Sequence, residues 1–159
     1  MSETSIEFSV PCDSDGYVTL ECPFCQEEFK LLANEVQNEE QPFNELFCPY
    51  CGLTDSSSNF NSTKVMEHAQ ALFQNHVMEQ LDSAFKGMVK GINKTKGKGL
   101  SMKATYTPSK KVEVPEIREH DTAEEIFQCK ACERHEKVIY AAGASKVFCA
   151  YCGVDLWTS

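Results

Sequence analysis

Leu46-Phe47-Cys48-Pro49-Tyr50-Cys51-Gly52-Leu53 returns near the C-terminus as Val147-Phe148-Cys149-Ala150-Tyr151-Cys152-Gly153-Val154. Five of the eight positions are identical, and the ends exchange one branched apolar residue for another. Each copy is preceded by a further Cys-x-x-Cys, Cys22 and Cys25 before the first, Cys129 and Cys132 before the second. Eight of the nine cysteines therefore form four pairs, and the pairs form two similar units.

A thiolate metal site places four soft sulfur ligands about 2.3 Å from one ion in a tetrahedron. Two residues between two cysteines let a tight turn aim both sulfurs at that ion. Two such knuckles on neighbouring hairpins complete the set. The knuckles are separated by 22 residues in Cys22, Cys25, Cys48, Cys51 and by 16 in Cys129, Cys132, Cys149, Cys152, spacings that suit two zinc ions per chain. The N-terminus shows no basic start followed by an apolar stretch, so the sequence predicts a reducing, cytoplasmic setting in which disulfides do not form. Thiolate tetrahedra also accept iron, but nothing in the sequence suggests a redox partner. A thioredoxin-like pair needs a βαβ setting that neither unit has. Crossed pairing of knuckles would close loops of over 70 residues, at a further entropic cost of roughly 1 kcal/mol per site, so local pairing is expected. Cys12 stands alone beside Pro11 and reads as a small apolar side chain.

Over residues 17–53 and 126–154 the two units resemble zinc ribbons of the broad rubredoxin-like type. The resemblance rests on the four cysteine pairs and on Gly52 and Gly153 after the second knuckles. Gln26 and Glu133 depart from the glycine common after the first knuckles.

Outside the knuckles, Ile6 to Val10 and Tyr17 to Leu20 alternate as strands around the turn Asp13-Ser14-Asp15-Gly16. Phe29 to Leu32 continues the first ribbon, residues 34–44 read as a loop, and residues 54–59 read as a polar linker. From Thr63 the period lengthens: Met66, Ala69, Phe73, Val77, Leu81, Ala84 and Met88 mark an amphipathic helix. Asn61 or Ser62 is its expected cap and Gly91 its expected stop. With Val65, Leu72 and Phe85 the apolar stripe is wide enough to predict cover on two sides, by the ribbons or by a second copy of the helix. Residues 100–107 alternate again as a strand, and Val112 to Val114 reads as an extended edge between Pro108 and Pro115. Ile126-Phe127, Val138 to Tyr140 and Lys146 to Phe148 are short strand candidates, Ala142 to Ala144 a turn, and Trp157 an aromatic that packs back. The expected fold is α+β, with two four-cysteine zinc ribbons flanking a long helix and a short β-segment. The expected divisions are residues 1–58, 59–92, 93–118 and 119–159.

The net charge of -9 is unevenly spread. Residues 1–62 carry -11, whereas residues 83–112 carry eight lysines and no acid. Those lysines, Lys86, Lys90, Lys94, Lys96, Lys98, Lys103, Lys110 and Lys111, could meet phosphates, or could simply be a solvated helix end and loop. No arginine is interleaved, as specific nucleic-acid readers usually require. A site closed by four cysteines leaves no position for water or substrate, so the ions are expected to be structural. His68, His76, His120 and His135 form no protease-type zinc motif, and no Walker loop or nucleophile elbow is present. No stretch of about 18 apolar residues exists to span a membrane. The sequence therefore points to a non-enzymatic adaptor that binds a protein partner or self-associates through its helix, with nucleic-acid binding through the lysines as the alternative.

Overall fold

A computed structural model describes residues 6–38, 43–94, 103–118, 124–139 and 146–156. The chain divides into two compact units, one of Ser9–Met66 with Ile117–Ser159, the other of Met1–Phe8 with Glu67–Glu116.

In the larger unit, β1 (Tyr17–Glu21) and β2 (Glu28–Leu32) form a hairpin, and β5 (Glu124–Gln128) and β6 (His135–Ile139) form another. They join edge to edge into one antiparallel sheet of order β1-β2-β6-β5, with Lys30 opposite Lys137 and Leu31 opposite Glu136. Both ribbons thus share one sheet, whereas the sequence divisions kept them apart. The join follows from strand composition. β2 and β6 each bury three consecutive residues, Phe29-Lys30-Leu31 and Glu136-Lys137-Val138, as central strands covered on both faces do.

A third hairpin, β3 (Glu45–Phe47) with β4 (Thr54–Ser56), carries the Cys48 knuckle. The Cys149 knuckle sits on a matching loop closed by the single bridge Phe148–Asp155. The span read as a linker from residue 54 is therefore β4 followed by a 3-10 turn, Ser57–Phe60, which buries Phe60 edge-on to Phe29 at 5.9 Å. Residues 33–36 form a one-turn helix α1 (Ala33–Val36) instead of loop. Leu20, Phe29, Leu31, Leu46, Phe60, Ala150 and Tyr151 complete the core together with the inward cysteines.

The long helix α2 (Thr63–Lys94) starts where expected: Ser62 Oγ accepts the Val65 N–H at 3.4 Å. The Glu21 carboxylate accepts from the Thr63 N–H at 3.1 Å and the Thr63 hydroxyl at 2.9 Å, placing negative charge at the helix N-terminus. The helix runs through Gly91 to Lys94, since an internal glycine only weakens a helix by about 1 kcal/mol.

Two expected strands are not strands. Ile6 to Val10 joins no sheet, and neither does the described part of residues 100–107 or Val112 to Val114. Residues 103–116 instead lie along α2 within the smaller unit. Asn75 Nδ2 donates to the Val112 carbonyl at 2.8 Å, and Asn75 Oδ1 accepts the Val112 N–H at 2.7 Å. Asn93 makes the same paired contact with Ala104, at 3.1 Å for both bonds. Asp82 accepts from the Tyr106 hydroxyl, and His68 Nδ1 lies 2.7 Å from the Pro115 carbonyl. A backbone whose ladder partners are helix side chains satisfies its polar groups without a sheet, which the alternating pattern could not reveal. Lys96, Lys98, Leu100, His120, Tyr140, the 142–144 turn and Trp157 lie outside the described residues.

Candidate metal centres

All four knuckles share one backbone design. The first cysteine donates its N–H to the carbonyl five residues on and accepts, at its own carbonyl, the N–H four residues on. The bonds run Cys22 to Glu27 and Gln26 to Cys22, Cys48 to Leu53 and Gly52 to Cys48, and likewise at Cys129 and Cys149, all between 2.8 and 3.0 Å. The fifth residue must then take positive φ. Gly52 and Gly153 do so at +71° and +70°, while Gln26 and Glu133 do so at 62° and 61° against their side-chain preference. The absent glycines noted in the sequence therefore change strain and leave the turn unchanged.

The knuckles pair locally. The sulfurs of Cys22, Cys25, Cys48 and Cys51 lie within 4.8 Å of one another, and so do those of Cys129, Cys132, Cys149 and Cys152. Cys22–Cys51 are 3.8 Å apart, and Cys25–Cys48, Cys129–Cys152 and Cys132–Cys149 are each 3.6 Å apart. A tetrahedron with ligands at about 2.3 Å has edges near 3.8 Å, so both groups are spaced to hold one ion each. Donors also converge on the sulfurs: the Phe24 N–H on Cys22 at 3.4 Å, the Tyr50 N–H on Cys48 at 3.4 Å and the Cys51 N–H on Cys48 at 3.5 Å. These groups stabilise thiolate charge. At Cys129, burial pushes the thiol up, but hydrogen bonds from the Cys132 and Ala131 backbone and from Cys132 and Cys152 outweigh it, bringing the group down to about 7. Burial drives Cys132 up to about 11 and raises Cys48 and Cys149 further. Each group thus holds one thiol, Cys22 or Cys129, whose hydrogen bonds favour the thiolate a cation requires. Among the described residues no histidine or carboxylate joins either group.

The two centres are locked to each other by reciprocal contacts. The Phe47 N–H donates to the Ala150 carbonyl at 2.8 Å, and the Phe148 N–H donates to the Pro49 carbonyl at 2.9 Å. The Phe148 ring covers Gly52, where an added Cβ would sit 3.1 Å away, and the Phe47 ring covers Gly153, at 2.9 Å. The repeated Phe and Gly of the opening motif thus build the ribbon–ribbon contact as well as the turns.

A buried ionic cluster lies at the join of β2 and β6, and the motif search missed it. Lys30 and Lys137 face each other, and their amines reach Asp13 Oδ2 at 3.5 and 2.8 Å. Asp15 lies 2.6 Å from Lys137, and Glu124 lies 3.1 Å from Lys30. Like charges placed opposite one another in a sheet repel, so these acids are what makes the register tolerable. Asp13 Oδ1 also accepts the Asp15 N–H at 3.0 Å and the Tyr17 N–H at 2.9 Å. Burial pushes its carboxyl up, but the hydrogen bonds from Lys137 and from the backbone outweigh that and hold it down at about 2. Burial likewise lowers Lys137, and its bonds to Asp13 and Asp15 overcome this to carry it to about 12. One signal was present in the sequence: Lys30 and Lys137 each stand five residues after the second cysteine of a first knuckle. Glu136, buried one residue away, accepts the Ala150 N–H at Oε2 at 2.6 Å, and burial raises its carboxyl to about 8.

The remaining candidates are dispersed. Cys12 is exposed. His76 meets Gln80, and His135 lies 3.2 Å from Glu35, with neither a member of a cysteine group. Lys86, Lys90, Lys94, Lys103, Lys110 and Lys111 are exposed on the smaller unit, Lys111 pairing with Glu79. No helix among the described residues is long and apolar enough to cross a membrane. The chain matches no known protein family, no curated protein and no solved structure.

Proposed function

We propose that this chain is a non-enzymatic adaptor of the cytoplasm, built on two structural zinc ribbons and binding other proteins through its long helix. Zinc suits the all-thiolate tetrahedra, which would be closed by Cys22, Cys25, Cys48 and Cys51 and by Cys129, Cys132, Cys149 and Cys152. The bound ion would neutralise thiolate charge and hold two hairpins together. It has no open position from which to act on a substrate. The observation that carries the interaction reading is the bare apolar face of α2, where Phe73, Val77, Leu81, Met88 and Ile92 are all exposed. The test is cross-linking in the source cell followed by identification of what is joined to α2, together with metal analysis of the purified chain. The expected result is two zinc ions per chain and a discrete protein species attached to the helix. Recovery of nucleic acid alone, released by raising salt, would replace this reading with the lysine-based alternative, favoured by the exposed amines of Lys86, Lys90, Lys94, Lys103, Lys110 and Lys111.

A further inference from the structure

The repeated Phe-Cys-x-Tyr-Cys-Gly does more than build two similar turns, because its residues between and around the cysteines reach across to the other ribbon. The Phe N–H of each copy donates to the carbonyl at x of the other, Phe47 to Ala150 and Phe148 to Pro49. The Phe ring of each copy covers the glycine of the other, leaving an added Cβ 3.1 Å at Gly52 and 2.9 Å at Gly153. The tyrosines cross as well. The Tyr50 hydroxyl accepts the Ile139 N–H of β6 at 3.2 Å, and the Tyr151 ring lies 4.8 Å from Phe43. Position x, which differs between the copies, contributes its carbonyl, a group that every residue has. Each centre thus braces the other through the same patch, as in a two-fold interface built inside one chain. The interior is shared too: Cys22 and Cys48 of one centre pack in a single buried cluster with Cys129 and Cys149 of the other.

We infer that the two centres load zinc cooperatively, the first ion setting the knuckles that the second requires. This coupling rests on the zinc reading above and adds a dependence between the sites. The second knuckle of each centre has a short support of its own, three-residue strands β3 and β4 around Cys48 and the single bridge Phe148–Asp155 around Cys149. A hairpin that short is marginal alone. Its remaining supports are the ion and the contact with the other centre. Zinc binding is linked to the folding of its ligands, so a contact that orders one knuckle is read out as affinity there. An ion that fixes Cys48 and Cys51 places Phe47 and Pro49 against the residues on either side of Cys149, and an ion at Cys149 and Cys152 does the reverse. Coupling of this kind is reciprocal and should amount to at least ~10-fold in affinity.

The test is a zinc titration of the full chain against a chromophoric chelator, with native mass spectrometry counting chains that hold no ion, one ion and two. At one zinc per chain, a ~10-fold coupling leaves about a quarter of the chains or fewer singly loaded, against about half for independent equal sites. Cys22→Ser with Cys25→Ser removes the first centre and should weaken zinc at the second at least ~10-fold. Cys129→Ser with Cys132→Ser should likewise weaken the first. Phe47→Ala with Phe148→Ala keeps all eight ligand thiols, so it should still take two ions while its singly loaded fraction rises toward about half. Zinc affinity at the surviving centre that is unchanged in both cysteine variants overturns the coupling and leaves two independent zinc sites. A singly loaded fraction in the phenylalanine variant equal to that of the native chain overturns the crossed contacts as its route. A native chain that takes up no zinc overturns the zinc reading itself.

Discussion

The ribbon unit and the helix unit solve the problem of a small core in opposite ways. In the ribbon unit apolar side chains point inward, with Phe29, Leu31, Phe60, Val138 and Val147 at 2% exposure or less, and eight thiols are gathered where ions would complete the packing. Among the described residues of the helix unit, Ala71 alone is buried. Its extended segment is held by asparagine and aspartate side chains instead of by a packed interior. One unit is closed and takes its stability from within. The other leaves the large apolar side chains of α2 exposed. Both units carry apolar side chains, and the difference lies in what each apolar face finds to pack against.

The largest effect that separates the units is loss of metal. Structural zinc contributes on the order of 10 kcal/mol per site. Chelation should collapse the amide dispersion of β2 and β6 in NMR spectra, while helical ellipticity, which rests on hydrogen bonds internal to α2, falls much less. Sheet amides that stay protected without metal would show that the ribbon unit has a sufficient core of its own.

Next comes the buried charge cluster. Asp13→Asn keeps an oxygen for the Tyr17 and Asp15 N–H groups but leaves Lys30 and Lys137 short of a negative partner. It should cost about 3 kcal/mol at neutral pH by denaturant unfolding. The sign of the pH dependence follows from Asp13 lying near 2 when folded. Its ordinary value is about 3.9. Its contribution is present above the ordinary value and is lost as pH falls through about 2. The gap between the native chain and the variant should therefore narrow from pH 4 downward. A gap that stays constant would mean the charge of Asp13 is not what matters.

The smallest effects distinguish the two jobs of glycine. Gly153→Ala meets both a φ of +70° and the Phe47 ring, and should cost about 2 kcal/mol and weaken the ribbon–ribbon contact. Gly16→Ala meets a φ of +85° in open space and should cost about 1 kcal/mol. Equal losses in thermal unfolding would mean that the Phe47 ring yields freely and that the lock between the centres is loose.

The cysteine framework was legible in the sequence because metal ligation is a local demand: a two-residue gap and a tight turn aim two sulfurs wherever they occur. The helix was legible too, through its period and its Ser62 cap, though not its run past Gly91, where tertiary context overrides a weak glycine penalty. The strand expected over residues 100–107 did not form a strand, because alternation records which side chains face together and not which groups accept the backbone hydrogen bonds.

What the sequence determined by itself was therefore chemistry carried by neighbouring residues: four cysteine knuckles, one amphipathic helix, an acidic start and a basic middle. The tertiary structure alone decided pairings between distant residues. It brought β2 beside β6, set Lys30 against Lys137 under Asp13, laid Phe47 on Gly153 and Phe148 on Gly52, and set the polar face of α2 against residues 103–116. Each of these depends on which of several compatible surfaces meet, and that choice is made by the summed energy of the whole unit, with no single stretch of chain encoding it.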